Sequence, residues 1–134
     1  MKNSVKFIFF ILSLIIITRC STGYTSADGE MLEKYLEPDS LLTLTEEPDT
    51  AIWIIDVRPE AAYQRGHIPT ALSYPSSEIM DRLDELPLTQ YLIFYCETGG
   101  RAQSVINKLE EEDYTRMLNW GGYTRWPYEL KPAE

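Results

Sequence analysis

Histidine occurs once in this sequence, at position 67, and cysteine only twice, at 20 and 96. So few soft ligands leave no spacing suited to a zinc ion. Two cysteines cannot build a disulfide framework either. Basic residues are also scarce. The chain has 12 lysines and arginines against 21 acids, a net charge of −9. A surface of that sign repels phosphate backbones, so no nucleic-acid partner is expected. Long apolar runs are missing too. The longest, residues 7–17 with Ser13 inside it, is short of the ~20 residues that span a bilayer. No internal repeat is present, and 44% hydrophobic residues with 25% charged residues suit a globular core.

What is there begins with an address. Lys2 and Lys6 precede the apolar run, and Arg19 follows it. A basic start and an apolar stretch of this length match a secretory signal, so residues 1–19 are expected to be a signal peptide. Cys20 then stands where a bacterial lipoprotein carries its lipidated first residue, and it is the lipidation candidate. Arg19 departs from that pattern, which favours a small residue before the cysteine. A cut after Ala27 and an uncleaved inner-membrane anchor are the alternatives. The expected location is therefore outside the cytoplasm of a bacterium, periplasmic or held at a membrane by a lipid on Cys20. Without residues 1–19, nine basic residues face 21 acidic ones, a net charge of −12. Residues 20–28 are small and polar and read as a tether, leaving 29–134 as one domain.

Within that domain, residues 30–37 carry apolar side chains at helical spacing, and residues 41–44 are a brief apolar piece. Residues 51–55 and 91–95 are continuous apolar, β-branched or aromatic runs, which predicts two strands buried on both faces. Residues 71–74 and 117–118 predict two shorter strands, and 119–122 a turn. Helices are predicted over 60–64, 76–86 and 100–112, with a last helical turn at Trp126. Strands alternating with helices indicate an α/β fold with a mainly parallel sheet. Ligands in such sheets bind beyond the carboxyl ends of the strands.

Cys96 directly follows the strand at 91–95, and Glu97, Thr98, Gly99, Gly100 and Arg101 lead from it into a helix. The first N–H groups of a helix lack intrahelical partners and lie at the positive end of its dipole. Two glycines let the loop curl so that its N–H groups converge, which makes a cradle for an anion. A thiolate in that place is favoured and reactive. Arg101 adds a fixed positive charge. Taken alone, Cys96 reads more simply as a small buried core residue. The glycines and the arginine turn the reading toward chemistry.

At this point the sequence resembles the rhodanese-like family. The family's Cys-x-x-Gly-x-Arg-Ser/Ala pattern is met by Cys96, Gly99, Arg101 and Ala102. Its Asp-Val-Arg motif is met by Asp56, Val57 and Arg58, with Glu60 and Tyr63 after it. Its Gly-His-Ile-Pro-Gly-Ala motif appears as Gly66, His67, Ile68, Pro69, Thr70 and Ala71, with Thr70 replacing the second glycine. Its late Gly-Gly is Gly121-Gly122, followed by Trp126. The resemblance covers residues 29–130. It implies a five-stranded parallel sheet with helices on both faces. It also implies sulfane-sulfur transfer through a persulfide on Cys96, from thiosulfate or another persulfide to a thiol or cyanide, with no metal or organic cofactor. Asp56, Arg58 and His67 become supporting residues, the first two as a buried pair. A monomer acting on small sulfur compounds is expected.

Two other functions compete. One is a non-catalytic persulfide carrier or sulfur-sensing module of the cell envelope. The other is a phosphatase of similar fold, but those use a loop one residue longer than the six residues from Cys96 to Arg101. Glu97 places a negative charge beside the thiolate, which predicts weak use of thiosulfate and better use of persulfide donors.

Overall fold

A computed structural model describes residues 24–134. The proposed signal segment and Cys20 lie outside the described residues. Four parallel strands form one sheet: β1 (Ile52–Asp56), β2 (Leu72–Ser73), β3 (Tyr91–Cys96) and β4 (Met117–Gly122), in the spatial order β2-β1-β3-β4. Three α-helices accompany them: α1 (Pro38–Glu46), α2 (Glu60–Arg65) and α3 (Gly100–Glu110). Two 3-10 segments, Glu30–Leu36 and Ile79–Glu85, and a 3-10 turn at Tyr123–Arg125 complete the described chain.

The strand pair β1 and β3 fills the centre of the sheet, which is why both sequences are apolar apart from Asp56 at the end of β1. Alternate side chains separate into two cores. Leu92, Phe94 and Cys96 pack with Ala102, Val105, Ile106 and Leu109 of α3. Ile93 and Tyr95 face the other way, among Leu32, Leu41, Ile68, Trp120 and Trp126. Helices therefore cover both faces, as an all-parallel sheet requires.

The described residues build four strands, where the resemblance implied five. At the outer edge of β4 the chain runs antiparallel through Thr25, but only a single bridge, Thr25–Leu118, forms. The reason lies in Ser26. Its Oγ accepts the Met117 N–H at 2.7 Å, a donor that a full ladder gives to a backbone carbonyl. Gly29 then turns the chain away, with so little room that a Cβ there would lie 2.4 Å from the Met117 carbonyl oxygen. Residues 24–28, read from sequence as tether, thus lie along the edge of β4: Ser26 N–H donates to Met117 at 3.0 Å and Asp28 N–H to Thr115 at 2.7 Å.

Three other local expectations change. Residues 41–44 belong to α1, which Pro38 starts at its first position. Residues 76–86 give only 3-10 turns, broken at Arg82 (φ −122°, ψ 24°), whose guanidinium is drawn to Glu85 and the Ser73 carbonyl. Residues 119–122 are not a turn. They continue β4 past a bulge, so that Tyr95 pairs with Gly121 and Cys96 with Gly122.

Candidate active site

The carboxyl ends of β1, β3 and β4 meet at the loop between Cys96 and Arg101. Cys96 ends β3 with its side chain turned toward α3, and it is only 1% exposed. The Gly99 N–H donates to Cys96 Sγ at 3.1 Å. Gly99 makes this possible with φ +98°, ψ −15°, a left-handed conformation that turns its N–H back to the sulfur and starts α3. The N–H groups of Gly100, Arg101 and Ala102 occupy the first turn of that helix, where no intrahelical acceptor exists. The Gly99 N–H and the positive end of an 11-residue helix therefore lie at the sulfur.

Strand β4 holds the loop from its other side. A Cβ on Gly122 would lie 2.3 Å from the Glu97 carbonyl oxygen, so only glycine permits this approach. A Cβ on Gly99 would lie 3.0 Å from Gly121 Cα. Asn119 fastens the contact. Its Nδ2 donates to the Gly99 carbonyl at 3.1 Å and to Gln103 Oε1 at 3.2 Å, and its Oδ1 accepts the Gly121 N–H at 3.0 Å. The bulge that lets Gly121 and Gly122 oppose Tyr95 and Cys96 is thus part of the site.

The charged loop residues are outside this cradle. Glu97, Thr98, Gly100 and Arg101 are exposed. Arg101 Nη2 lies 3.7 Å from Glu97 Oε2, a loose pair with both side chains about half exposed (46% and 51%). Such a pair contributes little rigidity, and each member is free to turn toward a ligand.

Asp56 and Arg58 form the buried pair expected of them. Arg58 Nε donates to both Asp56 oxygens at 3.0 Å, and Nη2 donates to Oδ2 at 2.7 Å. Nη2 also donates to the Gly66 carbonyl at 2.7 Å. Tyr95 completes the group, donating from its hydroxyl to Asp56 Oδ2 at 2.8 Å while accepting the Ile68 N–H at 3.1 Å. Burial opposes the charge of Arg58, but the hydrogen bonds and charge of Asp56 outweigh it and hold the guanidinium above its ordinary range. Burial, followed by the negative charge of Asp56, pushes the Tyr95 phenol far above the usual tyrosine value. This cluster ties the end of β1 to the loop at 66–68 and to the last turn of β3.

His67 is not brought to the cysteine. Its ring stacks on Tyr63 at 3.8 Å and 7°, and Nδ1 meets the Tyr63 carbonyl at 3.0 Å. Its backbone pairs with Lys131 in both directions at 2.9 Å, securing the C-terminal segment. Thr70, the residue that replaces the family's second glycine, keeps a left-handed φ of +66°. Sequence reasoning passed over Asn119 and Tyr95. The signal for Asn119 was a lone amide in the apolar run 117–120; that for Tyr95 was a phenol whose hydroxyl needs a partner once buried.

Known proteins share this fold and sequence pattern. The model of the rhodanese-like domain matches residues 37–129. A putative sulfurtransferase of Bacillus subtilis, YtwF, is 29% identical over 86 residues, covering 64% of this chain and 84% of its own. A sulfurtransferase of Allochromatium vinosum is 33% identical over 76 residues, covering 56% and 71%. The crystal structure of a rhodanese-like domain protein from Staphylococcus aureus superposes with a TM-score of 0.63 at 26% identity, covering 72% of this chain and 95% of that one. Motifs, sheet order and sequence likeness converge, and the chain belongs to the rhodanese-like domain family of sulfurtransferases.

Proposed function

We propose that Cys96 is the sulfur-carrying nucleophile of an exported single-domain sulfurtransferase. Its thiolate takes the outer sulfur of thiosulfate or a persulfide, and the resulting persulfide is attacked by a thiol or cyanide. Each half is a displacement at sulfur, so a held thiolate suffices and neither metal nor organic cofactor enters. The observation that carries the reading is the 3.1 Å donation from Gly99 N–H to Cys96 Sγ at the start of α3. A persulfide is a longer anion with the same need for donors, and Gly100 and Arg101 offer N–H groups further along the loop. Glu97 supports a preference for persulfide donors over the thiosulfate dianion. Residues 1–19 direct export and Cys20 carries a lipid in this proposal, and the mass of the mature N-terminus from native membranes tests both.

The test of the catalytic reading is steady-state sulfur transfer from thiosulfate and from persulfide donors to cyanide. Turnover that disappears in Cys96→Ser supports it. Turnover that survives that substitution overturns it. One observation favours a second reading: a sulfur held at 1% exposure is shielded from solvent, as suits a persulfide carrier awaiting a partner. Sulfur retained on Cys96 in the presence of cyanide and small thiols would select the carrier.

A further inference from the structure

Beside the Cys96 loop lies a cavity of about 150 Å3 lined by Arg58, Ala62, Arg65, Gly66, Glu97, Tyr123 and Leu130. It is bounded by residues of both signs. Glu97 stands on one wall, directly after Cys96, and its partner Arg101 is a distant 3.7 Å away. Arg65, at the end of α2, is exposed and enters no ion pair among the described residues. Arg58 is the third. It is 96% buried (4% exposed), and Asp56 and Gly66 take up Nε and Nη2. Nη1 has no acceptor among the described residues, nor is it one of the fully buried atoms lacking a partner. It therefore keeps contact with open space, and the cavity is the space Arg58 lines. A guanidinium fixed by a buried carboxylate, with one nitrogen left over, is a preorganised seat for an anion. The Tyr123 ring faces that guanidinium with its centroid 4.5 Å from Cζ, and Ala62 and Leu130 add apolar wall.

Resting on the assignment of Cys96 as the sulfur carrier, we propose that this cavity selects a small amino-acid persulfide, of the cysteine persulfide class, as donor. Its carboxylate sits on Arg58 Nη1 and Arg65, its ammonium on Glu97, and its sulfur is directed to the neighbouring Cys96. An inorganic dianion meets Glu97 without a cation of its own to offset it, whereas a zwitterion satisfies both walls. In the reaction the Cys96 thiolate attacks the outer sulfur of the donor R–S–SH. The S–S bond to R breaks, a new S–S bond forms on Cys96, and the electron pair leaves with R–S−. The proton of the donor persulfide ends on that departing thiolate, so that Cys96 carries the anionic persulfide and R–SH departs.

Three donors that differ by one charged group test the proposal: cysteine persulfide, cysteamine persulfide, which lacks the carboxylate, and 3-mercaptopropionate persulfide, which lacks the ammonium. kcat/KM is measured for each in the native sequence and in Arg65→Gln and Glu97→Gln, both exposed positions. Arg65→Gln is expected to lower kcat/KM about tenfold more for the two carboxylate donors than for cysteamine persulfide. Glu97→Gln is expected to lower it about tenfold more for the two ammonium donors than for 3-mercaptopropionate persulfide, and to raise it for thiosulfate. Equal effects on all three donors, or none, overturn the zwitterion site. Failure of every donor to load sulfur on Cys96 is a different result, and it removes the catalytic reading itself.

Discussion

Gly122→Ala should disable sulfur transfer without asking the backbone for anything alanine cannot give. Gly122 has φ −97° and ψ 143°, ordinary extended geometry. The difficulty is purely one of space. The added Cβ would lie 2.3 Å from the Glu97 carbonyl oxygen, 3.0 Å from its carbon and 3.1 Å from Thr98 Cα. A carbon and a carbonyl oxygen ordinarily approach to about 3.3 Å, so something must move by about 1 Å. Strand β4 is held by β3 on one side and by residues 24–28 on the other, which leaves the loop to yield. The loop carries the Gly99 N–H that meets Cys96 Sγ at 3.1 Å, and a 1 Å displacement ends that hydrogen bond. Misplacement on this scale costs about 10²-fold in rate, and the forced fit costs about 1–3 kcal/mol of stability. Gly121→Ala is the contrasting variant. Its φ of +103° penalises alanine by about 1–2 kcal/mol, but the nearest atoms belong to the flexible Arg125 side chain at 3.4 Å. It should lose stability with a smaller loss of rate. Kinetics of sulfur transfer and thermal unfolding of both variants decide the matter. A Gly122→Ala protein with native kcat/KM would refute the idea that β4 positions the loop.

Three further substitutions probe the supports. Thr70→Gly should raise stability by about 1 kcal/mol, read from denaturant unfolding, because a β-branched residue is held at φ +66° where glycine rests without strain. Asn119→Ala should lower kcat/KM about tenfold with a smaller change in melting temperature, since it frees the Gly99 carbonyl and the Gly121 N–H beside the sulfur. Tyr95→Phe should cost about 1–3 kcal/mol at neutral pH by leaving the buried Ile68 N–H and Asp56 oxygen short of a partner. It should also change the alkaline limb. Tyr95 keeps its proton in the folded protein where an unfolded tyrosine gives it up near pH 10, so native stability falls as pH rises above about 10. Removing the phenol should flatten that fall in urea titrations run between neutral and alkaline pH.

The parts of the fold that were legible in the sequence are those fixed by local chemistry. Two continuous apolar runs predicted strands buried on both faces, their alternation with helical segments predicted a parallel sheet, and the order strand, cysteine, two glycines, helix located the loop at the sheet's carboxyl end. The Asp56–Arg58 pair followed from the need to neutralise buried charge. What was not legible depends on distant partners. The bulge in β4 brings Gly122 against Glu97, a partner distant in sequence, so residues 119–122 read locally as a turn. Asn119 gains its meaning only when β4 lies beside Gly99, twenty residues away along the chain. Ser26 looked like tether because nothing local reveals that its hydroxyl will replace a backbone acceptor at the edge of β4. The cavity is illegible in the sequence for the same reason: Arg65, Glu97 and Tyr123 are far apart in sequence and meet only in the folded chain.

The central claim, that the loop from 96 to 101 holds sulfur on Cys96, is tested most directly by intact mass. The protein is incubated with cysteine persulfide, freed of excess donor and weighed before and after cyanide. A gain of one sulfur atom, lost to cyanide with release of thiocyanate and absent in Cys96→Ser, is the result this account predicts. An unchanged mass with every donor, or the same gain in Cys96→Ser, would contradict it.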